Sequence, residues 1–139
     1  MTGVADRFDP IGDDDAVLAA NQAFYAAFEA KDMDAMSDLW EHSDRALCTH
    51  PGWGSLRGWA SISASYFAIF QGPQPLQVIL TREHVDVHGD VAWATVDENL
   101  LGVEGGATVA ALNLFVRHDD GRWRLVAHTA SQVLTRADT

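Results

Sequence analysis

The spacing of apolar residues changes about half-way along the chain. In the first half, apolar side chains recur about every three to four residues in three stretches, which predicts three amphipathic helices. The first follows an acidic run at residues 13–15, the second follows Asp32 as a cap, and the third runs from Trp59 to Gly72. In the second half, runs rich in β-branched and aromatic residues predict four strands of about 12 residues each.

Three turn signals separate these strands and set the pairing that we expect. Each is interpreted as a two-residue hairpin turn: Gly89-Asp90, Gly105-Gly106 and Asp120-Gly121. Counting outward from the turns predicts one row of polar side chains, with Thr81 beside Glu98, Glu98 beside Asn113, and Asn113 beside His128. Cross-strand neighbours lie about 5 Å apart, so the row predicts a hydrogen-bonded cluster on an otherwise apolar face.

Strands of this length normally twist and curl, and a curled sheet has a concave face. Helices that precede such a sheet would close over the concavity. We therefore expect an α+β fold, a cone-shaped barrel in which three N-terminal helices pack on a strongly curved antiparallel sheet. The expected single domain covers residues 14–134, with a flexible acidic tail at 1–13 and a short C-terminal tail at 135–139.

The charge balance and the cysteine count exclude several classes of function. A net charge of −11 without a cluster of Lys or Arg argues against nucleic acids and membrane surfaces as partners. The single cysteine, Cys48, excludes an internal disulfide or a multi-thiolate metal site and fits a reducing compartment. The first residues lack the apolar core of a signal peptide, so we expect a cytoplasmic protein.

The polar row provides candidate chemistry. A buried carboxylate is costly unless it is paired, so Glu98 either pairs with Asn113 and His128 or carries a raised pKa and a proton. Either state suits acid–base catalysis, with His128 as base and Glu98 as acid or orienting group. His50 ends an apolar strand before a Pro-Gly-Trp turn and is the candidate for a second acid–base residue. The alternative is a structural polar network that sets strand register.

Aromatic residues complete the predicted pocket. Trp53 lies in a loop beside His50, where a large aromatic side chain has little structural reason to be, so it is a candidate ligand contact. The expected lining consists of Trp40, His50, Trp53, Tyr66, Glu98, Asn113 and His128, with Thr81 as a further ligand-binding candidate in the row. Aromatic residues at helical spacing are also typical of plain core.

Metal ions and organic cofactors are not expected. His84 and His88 are four residues apart in a strand, a separation of about 13 Å, which is too long for one metal ion. The glycine-containing loop at residues 52–58 has the wrong spacing for a dinucleotide-binding motif and lies outside any βαβ unit.

The opposite face of the predicted sheet carries an apolar patch that should not stay in water. We assign to it Leu112, Leu114, Val116, Trp123 and Leu125. Because the helices already occupy the concave side, this patch predicts a homodimer formed through the outer sheet face.

Several short motifs resemble one family. They are His50-Pro51, Trp93-Ala94-Thr95, Glu98-Asn99, Asn113, the run at residues 120–126 and the run at residues 128–131. Together they resemble the SnoaL-like branch of the nuclear transport factor 2-like superfamily, which implies a cone-shaped barrel, usually dimeric. That superfamily includes dehydratases, polyketide cyclases, isomerases and proteins without known activity. Two hypotheses follow: a cofactor-independent lyase or isomerase acting on a small apolar or polycyclic molecule, or a noncatalytic dimeric binding module.

Overall fold

The computed structural model describes residues 12–102 and 106–134. In it, three helices precede the four long strands, as the apolar spacing predicts. The helices are α1 (Asp13–Ala30), α2 (Met33–Leu39) and α3 (Trp59–Phe70). Acidic residues in the first turn of α1 match the positive end of the helix dipole. Asp32 caps α2 as predicted, since its Oδ1 accepts a hydrogen bond from the Ala35 amide at 3.0 Å.

Within the described residues, six strands form one curled sheet that does not close. The strands are β1 (Leu47–Thr49), β2 (Leu56–Arg57), β3 (Val78–His88), β4 (Val91–Leu100), β5 (Ala107–Arg117) and β6 (Trp123–Gln132). Their order across the sheet is β2-β1-β6-β5-β4-β3. All neighbours are antiparallel except β1 and β6, which are parallel. The cone-shaped α+β barrel is thus confirmed.

The predicted tails fall mostly outside the described residues, which begin at Gly12 and end at residue 134. Asp13, which the sequence analysis places in the tail, is already the first residue of α1. Among the described helices, none is long and apolar enough to cross a membrane.

The hairpin connections differ from the predicted two-residue turns in two of three cases. His88 pairs with Val91 around Gly89-Asp90, as predicted. The second connection spans residues 101–106, because Leu100 pairs with Ala107, and Gly105 itself lies outside the described residues. The third spans residues 118–122. The turns predicted at Gly105-Gly106 and Asp120-Gly121 are therefore wrong.

The longer second connection moves the β4–β5 pairing by four residues. Glu98 pairs with Val109 rather than with Asn113, so the predicted adjacency of Glu98 and Asn113 is wrong. A shift by an even number leaves every side chain on its original face, because strand side chains alternate with a period of two. Asn113 does pair with His128 as predicted.

A β-bulge in β3 removes Thr81 from the predicted row. The pairing shifts between Thr81 and His84, so Thr81 lies opposite Asp97, and Arg82 adopts a left-handed φ of 56°. The Thr81 hydroxyl accepts a hydrogen bond from Asn99 Nδ2 at 2.9 Å and is exposed. The placement of Thr81 beside Glu98 is therefore wrong, because one residue of slip reverses the face.

A second bulge changes which residues lie on the outer face of the sheet. The β5–β6 pairing shifts between Leu114 and Phe115, which puts Leu125 opposite the buried Phe115. Leu125 is 0% exposed and Trp123 is 7% exposed, so both belong to the core and their assignment to the outer face is wrong. Leu112 remains on the surface at 43% exposure.

Candidate active site

A cavity of about 250 Å³ lies between the helices and the inner face of the sheet. It is lined by Phe24, Tyr25, Phe28, His50, Pro51, Trp53, Tyr66, Ile69, Val78, Glu98, Leu100 and His128. Ligand pockets usually span roughly 300 to 1,000 Å³, so this cavity suits a small ligand. Larger grooves of about 480 and 510 Å³ on the outer sheet face and at the β5–β6 hairpin are more open to solvent. The cavity therefore holds the candidate site.

Five of the eight residues predicted for the site line this cavity: His50, Trp53, Tyr66, Glu98 and His128. Trp40 does not. It is buried in the core, with its ring centroid 6.0 Å from that of Trp59, and its Nε1 has no hydrogen-bond partner among the described residues. Asn113 lies behind His128 rather than on the cavity wall, and Thr81 faces away from the cavity.

Glu98 is held by a tyrosine of the first helix. Tyr25 donates its hydroxyl proton to Glu98 Oε2 at 2.5 Å and accepts a hydrogen bond from Asn113 Nδ2 at 3.1 Å. Tyr25 thus joins Glu98 and Asn113 into one network although their strand positions are not adjacent. Among the described residues, nothing donates a hydrogen bond to Glu98 Oε1, and the side chain lines the cavity.

His128 is held from behind through one ring nitrogen. Its Nδ1 lies 2.5 Å from Asn113 Oδ1, and its ring centroid lies 5.0 Å from that of Phe24. Asn113 is fully buried and continues the network to Asn21 of α1, whose Oδ1 accepts from Asn113 Nδ2 at 2.8 Å. This backing leaves Nε2 of His128 for the cavity.

His50 is held by the third helix. Its Nε2 lies 2.8 Å from the Ser65 hydroxyl, which donates its own proton to the Ile62 carbonyl oxygen at 2.6 Å. Ser65 therefore accepts, and Nε2 of His50 carries the proton. Trp53 and Tyr66 pack edge-on against the His50 ring, with centroid distances of 4.8 and 4.9 Å.

A family model for the SnoaL-like domain matches residues 17–135. The chain belongs to the SnoaL-like domain family. It is similar to a candidate dehydratase of the NTF2-like family from Streptomyces avermitilis, with 39% identity and a TM-score of 0.80 over 88% of this chain and 97% of the other. It is also similar to a candidate calcium/calmodulin-dependent protein kinase type II association domain from Thiobacillus denitrificans, with 32% identity and a TM-score of 0.76 over 84% and 94%.

A curated relative, the F-box protein SKIP8 of Arabidopsis thaliana, is 28% identical over 119 residues, which is 86% of this chain. The chain spans about half the length of that relative. A candidate ketosteroid isomerase from Shewanella frigidimarina, 17% identical with a TM-score of 0.74 over 87% of this chain and 98% of the other, shows the fold alone. These comparisons confirm the resemblance to the SnoaL-like branch of the NTF2-like superfamily.

The ionisable groups in the cavity of this SnoaL-like domain have strongly shifted pKa values. Burial raises the pKa of Glu98 to about 7, although the hydrogen bond from Tyr25 acts in the opposite direction. Burial lowers the pKa of His50 to about 4, and burial together with the nearby His50 lowers the pKa of His128 to about 3. At neutral pH the cavity thus presents two uncharged imidazoles and one carboxyl group that titrates.

The buried thiol of Cys48 is poorly suited to act as a nucleophile in this SnoaL-like domain. Burial raises its pKa to about 12, so the reactive thiolate is scarce at neutral pH. No group of three or more His, Cys, Asp or Glu side chains in the described part of the chain is arranged to hold a metal ion.

Two polar residues of α1, Asn21 and Tyr25, escaped the sequence analysis as parts of the site. They are four residues apart and therefore lie on the same face of the helix, where both are buried. An asparagine at a core-facing position is the signal that could have identified them, because a buried amide needs hydrogen-bond partners. Asn21 is 0% exposed and finds those partners in Asn113 and in Glu83 of β3.

Proposed function

We propose that this SnoaL-like domain binds a small, largely apolar molecule in the cavity and acts on it by proton transfer, as a dehydratase-type lyase or an isomerase. The observation that carries this proposal is Glu98. It is a buried carboxyl group with a pKa near neutrality, and it faces a largely apolar cavity. Such a group is protonated and ionised in comparable amounts near pH 7, so it can accept a proton and return it.

Glu98, rather than His128, is the base in this proposal. The sequence pattern predicts that role for His128, but a group with a pKa of about 3 holds a proton far more weakly than one with a pKa of about 7. The neutral imidazoles of His50 and His128 then orient polar atoms of the ligand. Trp53 and Tyr66 supply apolar walls.

Proton transfer to and from Glu98 drives the bond changes in both versions of the reaction. Ionised Glu98 removes a proton from the carbon beside a carbonyl group, and the electron pair of the broken C–H bond forms a carbon–carbon double bond. In a dehydration, the C–O bond to a β-hydroxyl group breaks, and that hydroxyl receives the proton back from Glu98 and leaves as water. In an isomerisation of a β,γ-unsaturated ketone, the electron pair instead forms a double bond to the carbonyl carbon while the carbonyl π electrons move to oxygen. When the carbonyl group re-forms, the double bonds shift, the γ carbon takes the proton from Glu98, and the carbon–carbon double bond ends between the α and β carbons. The 39% identical candidate dehydratase supports the first version.

Exchange of ketone α-protons for deuterium tests this proposal without knowledge of the natural substrate. Cyclohexanone and 2-decalone in D₂O serve as probes, with exchange followed by proton NMR. We expect the wild-type protein to catalyse exchange and Glu98→Gln to lower the rate by about 10²-fold or more, because the proton acceptor is lost. Glu41→Gln is the matched control: Glu41 is 7% exposed against 6% for Glu98 but lies outside the cavity, and its rate should match wild type. Equal rates for wild type and Glu98→Gln would overturn the proposal.

The second candidate function is a noncatalytic dimeric module that uses the outer sheet face. The 32% identity to a candidate association domain favours it, as does a groove of about 480 Å³ on that face beside the exposed Leu112. Sedimentation tests it: we expect a dimer that Leu112→Glu converts to a monomer, because the new charge would be buried in an apolar contact. A wild-type monomer at micromolar concentration contradicts this candidate.

A further inference from the structure

A chain of side-chain hydrogen bonds connects His128 to a carboxylate at the edge of the interior. From Asn113, Nδ2 donates to Asn21 Oδ1 at 2.8 Å, and from Asn21, Nδ2 donates to Glu83 Oε2 at 2.8 Å. At the other end, Asn113 Oδ1 meets His128 Nδ1 at 2.5 Å. The four side chains come from β6, β5, α1 and β3, so the chain crosses the molecule beneath the cavity.

The carboxylate sets the direction of every bond in this chain. An ionised carboxylate only accepts hydrogen bonds, so the Asn21 amide must turn its nitrogen towards Glu83 and its oxygen towards Asn113. The Asn113 amide then turns its nitrogen towards Asn21 and its oxygen towards His128. An amide oxygen only accepts, so Nδ1 of His128 carries the proton and Nε2 keeps its lone pair for the cavity.

A second branch can oppose that direction. Asn113 Nδ2 also donates to the Tyr25 hydroxyl, and Tyr25 donates to Glu98 Oε2. While Glu98 is ionised, both branches impose the same direction. Once Glu98 takes up a proton, it can donate to Tyr25, and Tyr25 can then donate to an inverted Asn113 amide. That inversion would move the His128 proton from Nδ1 to Nε2.

We propose that Glu83 is a positioning residue that keeps His128 in its Nδ1-protonated form while Glu98 gains and loses a proton. Nε2 then stays a hydrogen-bond acceptor throughout, which selects ligands with a hydroxyl or enol donor at that end of the cavity. The benefit to catalysis rests on the proposed function, whereas the proton position on His128 is a property of the ligand-free protein.

The alternation of β3 explains how an acidic residue reaches this position. Glu83 is two residues from Val85, which packs against the core, so both side chains lie on the inner face, where Asn21 and Gln22 of α1 donate to Glu83. The titratable groups that face the hydrogen-bond chain are Tyr25 of α1, Glu98 of β4, and His50, which follows β1. Glu83 and Glu98 are the carboxyl groups among the described residues that accept hydrogen bonds from this network.

The experiment is NMR of the ¹⁵N-histidine-labelled protein between about pH 5.5 and 8.5, with the His128 signals assigned by their loss in His128→Gln. We expect wild type to show Nδ1–H at every pH. In Glu83→Gln the side chain can donate as well as accept, so we expect the ratio of Nδ1–H to Nε2–H to fall about tenfold or more as Glu98 becomes protonated. Gln22→Ala is the matched control, since it removes only the 3.3 Å bond to Glu83 Oε1 and should behave as wild type.

Two results would overturn the inference. One is an Nε2–H form of His128 in the wild-type protein, which needs no variant to fold. The other is a folded Glu83→Gln protein whose His128 stays Nδ1-protonated across the whole pH range. Neither result bears on the deuterium exchange test of Glu98, so the two proposals can fail separately.

Discussion

Two carboxylates with almost the same exposure have opposite pKa shifts. Glu98, in the cavity, is 6% exposed and has a pKa of about 7, whereas Glu41, beside the β5–β6 hairpin, is 7% exposed and has a pKa of about 2. Glu98 accepts one hydrogen bond, from the neutral Tyr25. Glu41 accepts two from Arg45, at 2.6 and 2.7 Å, and further ones from Ser43 and His118.

The difference shows that desolvation and hydrogen-bond partners together determine the charge state of a buried carboxylate. Burial acts against the charged form at both places, but the Arg45 guanidinium reverses the balance at Glu41. Glu41 is thereby ionised at neutral pH and connects the chain after α2 to the hairpin after β5. Glu98 receives no cation among the described residues and keeps an affinity for protons that suits catalysis.

The largest expected effect is the contribution of Glu98 to the pH dependence of the unfolding free energy. Its folded-state pKa is raised above the unfolded value of 4.5, so the folded protein holds this proton more tightly. Relative to Glu98→Gln, the wild type should therefore gain about 2–3 kcal/mol of unfolding free energy as the pH falls from about 7 to 4.5. Urea unfolding of both proteins at several pH values measures this difference.

The comparison with Glu98→Gln is needed because the two cavity histidines act in the opposite direction. The lowered pKa values of His50 and His128 mean that the unfolded chain binds protons below about pH 6.5 that the folded protein does not. That loss of stability is common to both proteins and cancels in the difference. A difference that stays flat between pH 4.5 and 7 contradicts the raised pKa.

The sequence predicts the fold that carries Glu98, but it does not predict the hydrogen-bond partners of this side chain. The helices and the cone-shaped fold follow from apolar periodicity. The predicted pairing of Asn113 with His128 is right although the predicted turn is wrong, because the bulge between Leu114 and Phe115 reverses the one-residue change at the hairpin. The pairing of Glu98 is missed because the connection at residues 101–106 is longer than its glycines suggest. Because the shift is an even number of residues, Glu98 still faces the helices. Its predicted place in the site is therefore right although its predicted pairing partner is wrong.

Bulges explain the remaining errors. Arg82 takes a left-handed conformation that the sequence does not signal, since such positions usually hold glycine or asparagine. The bulge at that residue places Thr81 on the outer face. In the same way, the bulge after Leu114 turns Leu125 into the core. Tyr25 is missed because only packing shows that a helical tyrosine reaches two strands.

A smaller effect with the opposite sign is expected at Glu41. Its pKa is lowered from 4.5 to about 2, so its contribution is present above pH 4.5 and is lost as the pH falls towards 2. We expect Glu41→Gln to lower the unfolding free energy by about 1–2 kcal/mol at pH 7, a value reduced for solvent screening because the partner Arg45 is 64% exposed. Urea unfolding from pH 7 to 2 checks this. A stability cost that persists at pH 2 would show that packing, not charge, holds Glu41.

The smallest effect is expected at Asp38, a carboxylate that has an arginine partner but is not buried. Asp38 accepts a hydrogen bond from Arg122 at 2.9 Å, but the two side chains are 69% and 47% exposed. Water screens such a pair and competes for its hydrogen bonds, so Asp38→Asn should change the unfolding free energy by less than about 0.5 kcal/mol at pH 7. The same urea measurement, repeated in 1 M NaCl, should reduce even this effect. A cost as large as that of Glu41→Gln would mean that a cation alone, without burial, accounts for the contrast between Glu41 and Glu98.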